Sequence, residues 1–270
     1  MQVLIYVGLA PSRDLVIEFS AQIVQIASAV TLVTGGGRKR QALLDDAASR
    51  LHIPANVPVK RWALDGNPQV ALLTAARKAP HDLVILGRLN PPVRRLLSGA
   101  RSKVIAQSLE PSVLRVQGLV RPINRILVAS GGDRHTFQDV HITAQLAAPL
   151  KASVTILHVI SQQSLVFEGL VPHHLSVGDF LAGNSPEATT LRKAAAILQD
   201  YGITSEIKGR VGPIVDEILD ELRTGGFDLL VIGAHQVASV LDRILFEDIT
   251  GDLLDLGLLP VLVAKGNQEG

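Results

Sequence analysis

A basic loop in the first half of the chain carries the residue types that bind phosphate. Its polar side chains include four arginines and two serines: Arg88, Arg94, Arg95, Arg101, Ser98 and Ser102. Guanidinium groups hold phosphate oxygens through paired, charge-assisted hydrogen bonds. Pro91 and Pro92 stiffen the loop, which either preorganises it for a ligand or blocks it. The loop is therefore a candidate phosphate site, and the alternative interpretation is a solvated basic face.

The other reactive residue types form no catalytic or metal-binding pattern. The chain has no cysteine, which excludes disulfides, cysteine-ligated zinc and thiol chemistry. His173 and His174 are adjacent and do not share a helix face as a metal pair would, so we interpret them as an exposed loop pair. Spacing identifies no carboxylate partner for four more histidines: His135, His141, His158 and His235. No Gly-x-Ser-x-Gly nucleophile signature occurs. We predict no catalytic residue, no metal site and no enzymatic activity.

An internal repeat reveals the elements that must position these residues. The segment from Gly66 to Gly87 begins GNPQVALL and ends DLVILG, and the segment from Gly212 to Gly233 begins GPIVDEIL and ends DLLVIG. The two segments have the same length and are offset by 146 positions. Because the repeated unit is as large as a domain, the repeat predicts two similar domains rather than a solenoid.

Composition and periodicity predict the fold class. Hydrophobic residues make up 47% of the 270 residues and aromatics only 3%, which is typical of parallel sheets covered by helices. Short apolar runs predict strands at 3–7, 30–33, 57–63, 83–86, 113–116, 126–129, 154–159, 205–208, 229–232 and 261–264. Longer periodic runs predict helices at 15–27, 41–51, 70–77, 101–107, 137–147, 188–201, 214–222 and 249–256. Strands that alternate with helices predict α/β domains, each built on a parallel sheet.

The order of the predicted elements also gives the domain organisation, and the net charge and the length of the apolar runs exclude several functions. We place the domains at 1–117 and 125–270, joined by a short linker at 118–124. Residues 161–184 have no counterpart of equal length in the first half and are interpreted as a loop or lid. A net charge of +1 gives no electrostatic footprint for nucleic acid. The apolar runs are too short to span a bilayer, so we expect a cytoplasmic protein without membrane insertion.

Three local patterns, taken with the order of elements, resemble the universal stress protein family in its tandem form. They are the Gly-x-Pro or Gly-Pro turn that opens a helix at Gly66 and at Gly212, the Asp-Leu-apolar-apolar-apolar-Gly strand, and the closing strand in which a Pro, at Pro111 and Pro260, is followed by Val-Leu. The resemblance covers nearly the whole chain. It implies two five-stranded parallel sheets of order 3-2-1-4-5 with helices on both faces. It also implies a pseudo-dimer in which the fifth strands, 113–116 and 261–264, pair, and it leaves open a further homodimer.

The resemblance also implies where a nucleotide would bind in the first half. In such sheets, ligands bind beyond the carboxyl ends of the strands where the strand order reverses. ATP-binding members carry an Asp at the end of strand 1 and Gly-x2-Gly-x9-Gly-Ser/Thr after strand 4, where backbone N–H groups and a helix N-terminus meet phosphate. Here Gly8 replaces the Asp, Asn90 the middle glycine and Ala100 the Ser/Thr, and the spacing is one residue short. The candidate nucleotide-binding residues are Gly8, Gly87, Arg88, Asn90, Gly99, Ala100, Arg101 and Ser102.

The second half departs further from the same motif. The residues of its cleft are Gly131, Gly132, Gly233 and Gln236, with Gly131 in place of the strand-1 Asp. Its loop brings Glu247 and Asp248 to the phosphate end, and like charges about 4 Å apart cost about 4 kcal/mol near a protein surface. The alternative is that Asp248 caps a helix and Glu247 lies favourably near its start. We expect the second cleft not to hold ATP.

The sequence thus favours a non-catalytic stress-response or regulatory protein with weak or lost adenine-nucleotide binding. The expected ligand is ATP or AMP with magnesium, at the first cleft. One alternative is an ATP-binding signalling protein with slow ATPase activity that uses the first cleft. A second alternative is a regulatory module that binds a protein partner, such as a membrane transporter, through residues 161–184.

Overall fold

The computed structural model describes residues 1–9, 11–36, 40–87, 109–160, 180, 182–233 and 256–265. The chain divides into two compact units, Met1–Pro122 with Leu254–Gly270, and Ile123–Leu253. The C-terminal strand therefore lies with the first unit. The predicted domain limits at 117 and 125 stay predictions.

The first unit contains six strands and three helices among the described residues. In chain order they are β1 (Gln2–Tyr6), α1 (Ser12–Val24), β2 (Ala29–Gly35), α2 (Arg40–Arg50), β3 (Val59–Leu64), α3 (Pro68–Lys78), β4 (Leu83–Leu86), β5 (Ser112–Arg115) and, from the C-terminus, β10 (Val261–Ala264). Neighbouring strands follow the order β3-β2-β1-β4-β5-β10. The first five are parallel, so the predicted order 3-2-1-4-5 is confirmed in this unit.

The second unit repeats the order of strands and helices seen in the first unit from β1 to β4. Its described elements are β6 (Arg125–Ser130), α4 (Thr136–Leu150), β7 (Ser153–Ile160), α5 (Pro186–Asp200), β8 (Ser205–Val211), α6 (Ile214–Gly225) and β9 (Leu229–Gly233). Its strands are parallel in the order β9-β6-β7-β8, equivalent to 4-1-2-3.

The strand predicted as the fifth of the second half, β10, pairs with β5. The pairing is antiparallel, with Val261 opposite Arg115 and Val263 opposite Val113. The two fifth strands therefore pair as the resemblance implies, and the pairing satisfies the edge of β5.

Buried strands and capped helices explain why these segments adopt these elements. All four residues of β4 are buried, as expected for a central parallel strand covered on both faces. Asn67 accepts a hydrogen bond from the Val70 N–H and Pro68 follows it, so α3 begins there. Ser185 caps α5 in the same way, and Gly226, in the left-handed region, ends α6.

The predicted strands and helices that fall on described residues have the correct type, and their boundaries shift by a few residues. In the segment predicted as a loop or lid, the described residues 180 and 182 are helical. Helix α1 begins and ends three residues earlier than predicted, and β3 begins two residues later. The predicted helix at 101–107 lies outside the described residues, as does nearly all of the one at 249–256. Within the part of the chain that the structure describes, no helix is long and apolar enough to cross a membrane.

Candidate functional site

The first cleft brings together the two predicted glycines that follow neighbouring strands. Gly8 follows β1 and Gly87 follows β4, and Ile5 lies beside Ile85 in the parallel pairing of these strands. The other predicted residues of this cleft lie outside the described residues: Arg88, Asn90, Gly99, Ala100, Arg101 and Ser102.

The two glycines of the first cleft differ in what surrounds them. A Cβ atom at Gly8 would lie 3.4 Å from the nearest atom, on the Tyr6 ring, which is ordinary contact. A Cβ atom at Gly87 would lie 2.0 Å from the Ser12 hydroxyl oxygen and 2.9 Å from the Val16 side chain. Gly87 is therefore required by the close packing of α1 against the end of β4, whether or not a ligand binds. Among the described residues, position 8 has room for a Cβ atom.

Beneath Gly8, the Tyr6 side chain is buried and uncharged. Burial raises the pKa of Tyr6 to about 12, and a hydrogen bond with the Gly35 backbone opposes that rise. Among the described residues, the side chain nearest to position 8 is thus a neutral phenol.

At the second cleft, Gly131 and Gly132 follow β6, and Gly233 ends the neighbouring strand β9. Gly132 has a φ of +78°, which favours glycine, and a Cβ atom there would lie 2.9 Å from the His158 ring and 3.0 Å from the Glu187 side chain. Its N–H donates a hydrogen bond of 3.0 Å to the Ser130 hydroxyl oxygen. This N–H is therefore already satisfied within the chain. Gln236, the fourth predicted residue, lies outside the described residues.

His158 fills the space beside Gly132. It lies near the end of β7, opposite Ser130 in the parallel register. Its Nδ1 atom is 3.0 Å from the Ser130 carbonyl oxygen, and because a carbonyl only accepts, Nδ1 carries the proton. The Phe180 ring stacks on the imidazole with centroids 5.6 Å apart and planes 9° apart.

The electrostatics of the second cleft keep His158 neutral. Burial lowers the pKa of His158, and the hydrogen bond to Ser130 and the charge of Glu187 oppose this only in part. Ser130 is also buried, and its hydroxyl is 2.7 Å from that of Thr136 at the start of α4. The edge of the second sheet is thus occupied by a network of its own side chains.

Sequence reasoning missed this network because its members are far apart in the chain. The expectation that spacing gives His158 no carboxylate partner holds for spacing alone, since Glu187 approaches from α5. The strand register could have placed His158 beside Ser130, because residues that end neighbouring parallel strands meet at one edge of the sheet. Among the described residues, no group of three or more histidines and carboxylates could hold a metal ion.

The repeated Asp of the strand motif has a structural role at the opposite end of each sheet. The Asp228 carboxylate accepts hydrogen bonds from the N–H groups of Asn124 and Arg125, at 2.9 and 3.0 Å. In the first unit, the Asp82 carboxylate accepts one from the Gln2 N–H, at 2.6 Å. Each Asp therefore ties the beginning of one central strand to the next.

Comparison with known proteins identifies a family and two similar folds. The model of the universal stress protein family matches residues 122–265, more than half of the chain. A universal stress protein from Archaeoglobus fulgidus DSM 4304 is similar over 100% of this chain and 97% of its own, with a TM-score of 0.68 and 13% identity. A functionally unknown protein from Pseudomonas aeruginosa PAO1 is similar over 98% of this chain and 92% of its own, with a TM-score of 0.65 and 18% identity. No curated protein matches the chain.

Proposed function

Because the chain belongs to the universal stress protein family, we propose that it is a non-catalytic regulatory or stress-response protein of the cytoplasm. In this proposal its two domains form an internal pseudo-dimer, its second cleft takes no nucleotide, and its first cleft takes an adenine nucleotide weakly at most. The observation that carries the proposal is the network that occupies the second cleft.

This network leaves little for a phosphate or a base to bind. The Gly132 N–H, which stands at the end of the central strand, already donates to Ser130. The His158 ring lies beside Gly132 and stacks on the Phe180 ring. Glu187 adds a carboxylate beside them, and a negative charge there disfavours a phosphate. A ligand would have to displace all three interactions.

For the first cleft, the proposal rests on Gly8. A ribose or base held by a carboxylate at this position would lose a charge-assisted hydrogen bond when glycine stands there. The proposed ligand is ATP or AMP with magnesium, with Gly87, Arg88, Asn90, Gly99, Ala100, Arg101 and Ser102 around it. The arginines would supply what remains of the affinity.

The room at position 8 allows a gain-of-function test. We would titrate ATP, ADP and AMP, each with and without magnesium, into the wild type and into Gly8→Asp in a calorimeter. The wild type is expected to give weak heat or none. Gly8→Asp is expected to bind at least about tenfold more tightly, because one charge-assisted hydrogen bond is worth about 1.5–3 kcal/mol. Gly8→Ala is the matched control, since it adds the Cβ without the carboxylate.

Two results would contradict the proposal. Tight binding by the wild type, accompanied by release of phosphate from ATP, would favour the ATPase alternative. Binding that is unchanged by Gly8→Asp and by Arg101→Glu would move the site away from the first cleft.

A further inference from the structure

A shallow groove lies on the outer surface of the second unit, between α4 and α5. Its volume is about 480 Å³, and it is lined by Phe137, His141, Lys193, Ala196, Ile197 and Asp200. The Tyr201 ring, which is 44% exposed, packs edge-on against His141 at the end of the groove. The groove belongs neither to the second cleft nor to the ends of the strands.

The α5 side of the groove is a regular stripe. Lys193, Ala196, Ile197 and Asp200 are spaced i, i+3, i+4 and i+7, so they share one face of the helix. Opposite charges end the stripe, and an aliphatic pair lies in the middle. The two charged residues are about 10 Å apart along the axis, at a rise of 1.5 Å per residue, too far to pair with each other.

The side chains of the two charged residues of this stripe have no charged or hydrogen-bonded partner in the described part of the chain. Neither Lys193 nor Asp200 forms an ion pair or a hydrogen bond with its side chain among the residues that the structure describes. The corresponding helices of the first unit differ, because there Arg50 bridges α2 to α1 through Asp14 at 2.7 Å. Arg50 also lies 3.5 Å from Asp46 in its own helix.

The stripe is complementary to itself. Lys193 and Asp200 are equidistant from the point between Ala196 and Ile197. If two copies of α5 pack antiparallel about a twofold axis through that point, Lys193 of each copy meets Asp200 of the other. A twofold interface requires this reciprocity. The small Ala196 at the centre allows the helix axes to approach closely.

We propose that this groove is the interface of a homodimer, in which α5 of a second copy of the chain lies antiparallel in it. Lys193 and Asp200 form two symmetric ion pairs across the axis. Phe137, Ile197 and Ala196 are covered between them. This inference is independent of the proposed nucleotide chemistry, because it uses no residue of either cleft.

A charge-swap experiment tests the proposal on the full chain. The dissociation constant is measured by analytical ultracentrifugation for the wild type, Lys193→Glu, Asp200→Lys and the double variant. Each single variant places like charges opposite each other twice and is expected to weaken the dimer by at least about tenfold. The double variant restores opposite charges and is expected to dimerise like the wild type. The two single variants, mixed, are expected to form a heterodimer.

A matched control and the opposing outcomes keep the test decisive. Arg223→Glu makes the same change of charge as Lys193→Glu on α6, where the Arg223 side chain is 63% exposed, and should leave the dimer intact. Circular dichroism confirms that each variant is folded. A wild type that stays monomeric at every concentration overturns the proposal. A dimer that the single variants do not weaken, or that the double variant does not restore, overturns it equally.

Discussion

The outer corner of each sheet, where its edge strand meets the helix that follows, is built from opposite kinds of residue in the two repeats. With the offset of 146 positions, the first-repeat positions Trp62, Leu64, Ala71 and Ala75 correspond to Lys208, Arg210, Glu217 and Glu221. The strand register supports this correspondence. Trp62 lies beside Val33 in the first sheet, and Lys208 lies beside Leu157 in the second.

In the first repeat this corner is apolar. Trp62 and Leu64 pack against a buried cluster that includes Ala75 and Leu72. The Lys78 ammonium lies 4.8 Å from the centre of the Trp62 ring, where the face of the indole attracts a cation. The corner is thus held by burial of apolar surface, with charged groups such as Lys78 on the outside.

In the second repeat the same corner is an ion-pair network. Glu221 is 3% exposed and accepts hydrogen bonds from Lys208 at 3.0 Å and from Arg210 at 2.8 Å. Arg210 also bonds Glu217 at 3.1 Å. Burial alone would raise the pKa of Glu221, but the two cations outweigh it and the pKa is lowered.

The comparison shows that the same backbone arrangement accommodates either apolar or ionic side chains at the corner. All four side chains differ between the repeats. A lone carboxylate in the apolar version, or a lone alanine in the ionic one, would leave a buried group without a partner. The members of the corner should therefore tolerate replacement as a set and not one at a time.

The largest expected effect comes from placing one member of the ionic set into the apolar corner. Ala75→Glu places a carboxylate in the buried apolar cluster against which Trp62 and Leu64 pack, whereas the exposed Lys78 ammonium lies over the Trp62 ring outside that cluster. We expect a loss of at least about 4 kcal/mol in the stability of the first unit, or its unfolding. Trp62 is the only tryptophan, so its fluorescence during urea unfolding reports this unit directly.

Thr74→Glu is the matched control for Ala75→Glu, because residue 74 is exposed on the same helix. It should change stability by less than about 0.5 kcal/mol. A loss of less than about 1 kcal/mol for Ala75→Glu would mean that water reaches the corner. The apolar corner would then accept a carboxylate, and the two repeats would not differ in this respect.

The second effect comes from breaking the ionic set. Glu221→Ala leaves Lys208 and Arg210 without their shared partner, although both can still reach water. We expect a loss of about 1–3 kcal/mol, below the value for a fully buried pair. Replacing all four residues by the first-repeat set, Lys208→Trp, Arg210→Leu, Glu217→Ala and Glu221→Ala, should bring stability back to within about 1 kcal/mol of the wild type.

Urea unfolding followed by circular dichroism measures both variants. Glu217→Ala alone is the internal comparison, and it should cost less than Glu221→Ala because Glu217 bonds only Arg210 among the described residues. If the fourfold variant is less stable than Glu221→Ala, the four residues of the corner do not compensate for one another when they are replaced together.

A third, smaller contrast concerns the repeated Asp. Asp228 is buried and accepts two backbone N–H groups, whereas Asp82 is exposed and accepts one. We expect Asp228→Ala to cost about 1–2 kcal/mol and Asp82→Ala about half of that. The Asn variants keep an acceptor and should lose less, as measured by urea unfolding. Equal losses at the two positions would show that burial does not separate the repeats here.

The sequence predicted the central parts of this fold and not its corners or clefts. Strands such as Leu83–Leu86 are apolar throughout and bounded by turn residues, so their type follows from local pattern. The Lys208–Glu221 pair was not found, because it depends on how a strand and a helix face each other after folding. The carboxylates at 217 and 221 resemble the polar face of any surface helix.

The candidate site was predicted in part for the same reason. Gly8, Gly87, Gly131, Gly132 and Gly233 were located correctly at the ends of strands, since parallel strands end at one edge. The packing role of Gly87 against Ser12 was not predictable, because it depends on a helix that approaches from another part of the chain. The stacking of Phe180 on His158 comes from the non-repeated segment, to which the repeat gives no guide.

The smallest expected effect is a pH dependence of the free energy of unfolding that comes from the second cleft. By strand register, the first-repeat counterpart of His158 is Thr34, so only the second cleft holds a titratable ring at this position. The pKa of His158 is lowered in the folded state, mainly by burial. The unfolded chain therefore binds the proton more readily, and stability is full above the ordinary histidine value of about 6.5 and falls as the pH drops below it. The slope is at most about 1.4 kcal/mol per pH unit for this one group.

His158→Thr should flatten the difference in unfolding free energy between pH 7 and pH 5, measured by urea unfolding. His81, whose pKa burial also lowers, contributes equally to both proteins and cancels in the comparison. An unchanged pH dependence in His158→Thr would mean that folding does not lower the pKa of His158. The network of the second cleft would then open readily enough to admit water and, with it, a ligand.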